Sequence, residues 1–156
     1  MVTKESVAFV DSDVAAHFTD SLVQYASEYE DLDLTRTGGV GGQARCFISS
    51  VRLIAAQNLA WMVSFHNKDN TAPGTDSVIG HTYNQNTMID FWPFATTDGY
   101  ILGASAYVYS VTGLKIPYRD DENAGQLHIA LHNRSTTTKI AATGYVQVRV
   151  GVIGAA

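Results

Sequence analysis

The chain has 156 residues, 46% of them apolar and 16% charged, with ten Lys and Arg against fifteen Asp and Glu for a net charge of −5. That length suits one domain with a sizeable core, and the composition is too apolar and too sparsely charged for a disordered protein. The basic residues are scattered from Lys4 to Arg149 without a cluster; no nucleic-acid partner is expected, because phosphate binding needs concentrated positive charge.

The opening Met1-Val-Thr-Lys-Glu-Ser6 lacks the basic region and apolar stretch of a secretory signal. After Ser12-Asp13, apolar residues fall at Val14, Phe18, Leu22, Tyr25, Tyr29 and Leu32, a spacing of three or four that fits an amphipathic helix with an acid-rich start. A strand reading competes, because Leu32 and Leu34 alternate with Asp33. The run Thr37-Gly-Gly-Val-Gly-Gly42 follows as a flexible joint. Residues 1–43 are therefore expected to form an N-terminal arm, a short helix or helix plus strand, leading into a body at 44–156.

From about residue 44 the period-two alternation of half-buried strands recurs between turn signals. Cys46 to Ile54 reads as a strand with Arg52 facing away from Val51 and Leu53. Cys46 is the only cysteine, so no internal disulfide is possible, and folding in a reducing cytosol is expected. Leu59 to His66 reads as the next strand, with Trp61, Val63 and Phe65 on one face and Met62, Ser64 and His66 on the other. Asn67 to Gly74 is dense in turn formers. Proline in Phe91-Trp-Pro-Phe94 removes a ladder donor and makes that segment an edge, bulge or strand end. Its aromatics suit the margin of the core or an interface.

Tyr100 to Val111 reads as one long strand, and Arg119 to Gly125 as a loop. Leu127, Ile129 and Leu131 alternate with His128, Ala130 and His132, and Val146, Val148, Val150 and Val152 alternate with Gln147, Arg149 and Gly151. Between these two strands 133–139 is polar, and Gly144 marks a turn. No run approaches the roughly 20 apolar residues that cross a bilayer, so no membrane partner is expected. The fold class is all-β, an antiparallel sandwich.

Few residues suggest chemistry. His128 and His132 have the four-residue spacing of helical metal sites, but on a strand they stand roughly 13 Å apart and cannot share one zinc unless a third element folds back. Solvent-facing or interface histidines are the expectation. His17, His66 and His81 have no cysteine or carboxylate at a ligand spacing. Asp120, Asp121, Glu122 and Asn123 offer hard oxygens for calcium but lack the EF-hand spacing, as do Asp69 and Asp76, so a solvated acidic hairpin tip is expected. Glycosidase carboxylates are defined by a distance in space, and nothing here recommends a pair. There is no G-x-S-x-G, G-x-G-x-x-G or Walker-type loop, and Cys46 lies within a strand, where a structural thiol is expected. No catalytic, cofactor or metal residue is assigned.

Three segments, Val111-Thr-Gly-Leu-Lys-Ile-Pro-Tyr-Arg-Asp120, Gly125-Gln-Leu-His-Ile-Ala-Leu-His-Asn-Arg-Ser135 and Gly144-Tyr-Val-Gln-Val-Arg-Val150, resemble tailed-bacteriophage virion proteins, specifically jelly-roll-like capsid decoration or cement proteins. The likeness covers about forty residues, mainly on Leu-x-Ile-Pro-Tyr-x-Asp and Leu-His-Ile-x-Leu-x-Asn-Arg-Ser, and does not extend to 1–43. It implies a protein made in the host cytoplasm that binds the capsid exterior as a trimer or dimer. There it would contact the major capsid protein and stabilise capsomers without catalysis. On that reading Val14, Phe18, Leu22, Tyr25, Tyr29, Trp92 and Phe94 are the candidate partner-interface residues. The alternative is a carbohydrate- or receptor-binding sandwich of a phage tail or fibre, with Trp92, Tyr83, Tyr107 or Tyr109 as stacking platforms.

Overall fold

The computed structural model describes residues 7–11, 18, 22, 24–34, 45–68, 87–122, 125–139 and 146–154. Val14, His17, Asp69, Asp76, His81, Tyr83, Asn123, Gly144, the glycine joint at 37–42 and most of the 67–74 loop lie outside these residues. Nine strands are present among them: β1 (Val7–Asp11), β2 (Ser27–Asp33), β3 (Arg45–Ala55), β4 (Trp61–His66), β5 (Met88–Phe94), β6 (Tyr100–Gly103), β7 (Ala106–Arg119), β8 (Gln126–Asn133) and β9 (Val146–Gly154).

They form a five-stranded sheet, β1-β9-β3-β7-β6, and a four-stranded sheet, β2-β8-β4-β5. The antiparallel pairs nest, β1 with β9, β2 with β8, β3 with β7 and β4 with β5. This is a hairpin rolled into two facing sheets; with β6 as an added edge strand, the fold is a jelly roll. The inner faces are those that the period-two pattern marks. Ile48, Val51, Leu53 and the valines at 146, 148, 150 and 152 face Trp61, Val63, Phe65, Leu127, Ile129 and Leu131 in one buried cluster.

Two expectations change. Where residues 1–43 are described they supply an edge strand to each sheet, β1 and β2, and no helix lies among them. Between them Phe18 exchanges backbone hydrogen bonds with Val146, and Leu22 with Lys139. The physical reason is an ambiguity in the spacing. Residues four apart share a face on a strand as well as on a helix, so Phe18 and Leu22 fit both.

The stretch 100–111 is two strands, β6 and the start of β7, reversing at Ala104–Ser105 with Ile101 opposite Tyr107. The turn carries no Pro, Asn or Asp, so the sequence does not mark the break. β7 then runs on to Arg119. Its register against β3 shifts between Ile48 and Ser50, and the extra residues of β7 include Gly113 at φ 76, a left-handed position suited to glycine.

Candidate functional site

The inner face of the four-stranded sheet is apolar, but its outer face carries buried polar side chains: Ser27, Ser64, His66, His128 and His132. β4 and β8 place the last four together, with His66 opposite His128 and Ser64 opposite Ala130. Two networks result.

In the first, Ser64 Oγ lies 2.8 Å from both His66 Nε2 and His132 Nε2, and His66 Nδ1 lies 3.2 Å from Thr87 Oγ1. Tyr29 from β2 meets the His66 ring edge-on at 5.6 Å. A hydroxyl between two imidazoles is the pairing of a nucleophile with its base. Here, however, the hydroxyl and both rings are buried. The arrangement satisfies buried polar groups.

The second network centres on His128. Its Nδ1 is 2.6 Å from Asp31 Oδ1 on β2, and its Nε2 is 3.3 Å from Asp120 Oδ1 and 3.7 Å from Glu122 Oε2. Asp120 is 0% exposed. Water is replaced there by the backbone N–H of Glu122, which donates to Oδ1, and that of Gln126, which donates to Oδ2, each at 3.0 Å. Below the ring, the His128 backbone N–H donates to the Tyr118 hydroxyl at 3.2 Å, and that hydroxyl donates to the Gln126 carbonyl at 2.8 Å. Burial pushes the Tyr118 phenol well up, so it stays a donor.

Burial alone would lower the His128 pKa, but the hydrogen bond and charge of Asp31, followed by those of Asp120, outweigh it and raise the pKa. Burial likewise acts to raise Asp120, and the N–H groups of Gln126 and Glu122 with His128 reverse it, leaving the carboxyl below its usual range. Asp121 faces elsewhere, pairing with Arg119 at 3.2 Å and accepting from Asn67 Nδ2 at 2.7 Å.

These placements correct the expectation of solvent-facing histidines and of a wholly solvated acidic tip. His128 and His132 are buried because partners inside the molecule satisfy ring nitrogens of both. They do not share a site: His132 goes to Ser64, and the loop after β7 folds back onto His128. The pairing of that loop with His128 is foreshadowed by the hairpin, since eight residues separate Asp120 from His128 across one turn. Asp31 has no such signal, being 97 residues from His128.

Among the candidate interface residues, Phe18 and Leu22 are 0% exposed within the chain's own core, and Phe94 is buried there too. Trp92 packs against the core cluster. Tyr29 is half-buried beside His66, whereas Tyr25 is exposed with Arg134 4.9 Å over its ring. Of the stacking platforms, Tyr109 is fully buried and Tyr107 packs against the core. Cys46 is buried, and burial pushes its thiol up to about 11.

The sequence pattern does not single out the exposed edge strand β6, where Tyr100 is 70% and Ile101 and Leu102 are each 63% exposed. Tyr100 and Leu102 border a shallow hollow with Arg52, Ile54, Val108 and Ser110 on the outer face of the five-stranded sheet. Comparison of the chain with protein-family models, curated proteins and solved structures finds no match in any of the three.

Proposed function

We propose that this chain is a non-enzymatic structural protein of a phage virion, a capsid decoration or cement protein, and that strand β6 is where it meets a second copy of itself. The observation that carries this reading is an edge strand of Tyr-Ile-Leu-Gly with three large apolar side chains in solvent. Edge strands normally carry charges or proline that discourage pairing with another chain. β6 has neither, and an apolar patch on a strand that lies at the sheet edge among the described residues suits association. The jelly roll is an architecture of viral capsid proteins as well as of lectins, which supports the reading by analogy of fold. The likeness of segments 111–120, 125–135 and 144–150 to virion proteins supports it from sequence. The resulting oligomer, a dimer or trimer, would sit on the major capsid protein.

The test is the mass in solution of the full chain and of an Ile101→Glu/Leu102→Glu variant, together with co-sedimentation on isolated phage heads. An oligomer that binds heads, against a folded variant that is monomeric and unbound, is expected. Unchanged assembly of the variant would remove β6 from the interface, and a wild-type protein that neither self-associates nor binds heads would remove the virion reading.

A further inference from the structure

We propose that Asp120, Glu122 and His128 form a binding site for one divalent cation of the zinc class, with Asp31 as the residue that positions the imidazole. One donor atom from each of the three residues lies within 4.8 Å of the others.

The distances suit a bound metal as well as an ion pair. Only the Asp31 contact, at 2.6 Å, has the length of a strong charge-assisted hydrogen bond; those from Nε2, at 3.3 and 3.7 Å, are long for one. Donor atoms about 2.0–2.2 Å from a tetrahedral zinc stand roughly 3.3–3.6 Å apart, close to both of these separations. With Asp31 accepting from Nδ1–H, a cation would take the place of the Nε2 proton that Asp120 and Glu122 otherwise face, and would be met by the Nε2 lone pair and both carboxylates. A carboxylate on the far nitrogen is also the usual support of a metal-bound histidine, fixing its tautomer and orientation.

The donor set indicates the class of ion. One imidazole with two carboxylates matches zinc better than calcium, which takes six to eight oxygens, or magnesium, which retains several waters. Three protein donors leave a fourth position for water. Asp120 forms the buried wall, and Glu122, 42% exposed, is the side from which an ion would enter. Bound there, the ion would join the loop after β7 to β8, a structural staple.

The experiment is titration of the metal-free full chain with Zn2+ alone, read by calorimetry and by the thermal midpoint, and repeated with Ca2+ and Mg2+. One Zn2+ per chain, an upward shift of the midpoint and no comparable response to the other two ions are expected. Glu122→Gln should weaken binding at least tenfold while keeping the fold, because its side chain is partly exposed. Asp31→Asn should weaken it about 10–100-fold as the loss of a supporting carboxylate. Asp121→Asn, whose side chain points to Arg119 and Asn67, should leave it unchanged. Absence of Zn2+ binding by folded wild-type protein, equal affinity in the Glu122→Gln variant, or stronger binding of Ca2+ than of Zn2+ would each overturn the proposal. None of these outcomes depends on whether the protein belongs to a virion.

Discussion

His66 and His128 stand directly opposite each other on β4 and β8, yet their imidazoles serve separate networks, one closed by a serine and the other by carboxylates. The serine is the more exacting partner. Its single hydroxyl proton can go to only one ring, so at least one imidazole must donate to Ser64 Oγ. Ser64→Ala removes the Ser64 hydrogen bond from two buried ring nitrogens and is expected to destabilise the fold by about 2–6 kcal/mol, at roughly 1–3 kcal/mol for each group affected. Urea unfolding measures this, and a loss below about 0.5 kcal/mol would mean that the rings find other partners.

Phe18→Ala tests whether the first segment belongs to the body. A phenylalanine buried in the shared core costs about 3–5 kcal/mol when truncated, whereas one on a free arm costs next to nothing. Chemical denaturation of the two proteins separates these outcomes, and the large loss is expected.

Gly99→Ala should also destabilise, by about 1–3 kcal/mol, through overpacking. A Cβ at this position would lie 2.9 Å from the Tyr109 ring and 3.0 Å from Asn58 Oδ1. Those two groups are held together by the Tyr109 hydroxyl, which donates to Asn58 at 2.6 Å. Tyr109 is buried and cannot swing aside. Gly103→Ala is the matched control, since a Cβ there meets nothing within 4 Å.

Cys46 should be nearly inert in the folded protein. With the thiol pushed up to about 11, roughly one molecule in a thousand carries the reactive thiolate at pH 8, about a hundredfold fewer than for an unperturbed thiol. Alkylation by iodoacetamide should therefore run at least about a hundredfold slower in native than in urea-unfolded protein. Equal rates would place the sulfur in solvent.

The sequence is most legible where one physical rule acts alone. Leu127, Ile129 and Leu131 and the valines of 146–152 alternate strictly because each strand has a single apolar side in the core, and β8 and β9 follow from that pattern. Legibility fails where two rules coincide or a signal is weak: a spacing of four suits helix and strand alike at Phe18 and Leu22, and the turn at Ala104–Ser105 carries no Pro, Asn or Asp. At the candidate metal site, the residue types are visible in the acidic loop and in His128. Their meeting depends on the β7–β8 hairpin, and the support from Asp31 depends on β2 lying beside β8. His132 shows the reverse case, a histidine at a suggestive spacing that the strand sends to a serine.

β9 lies inside its sheet, between β1 and β3, although it is made from residues 146–154. During synthesis β1 and β3 therefore wait for the strand that joins them, and the five-stranded sheet can become continuous only after residue 154 has left the ribosome. Such distant pairings close slowly, and until then the nascent chain exposes apolar strand edges. Production of this protein should consequently be limited by chaperone capacity and growth temperature more than by the stability of the finished fold.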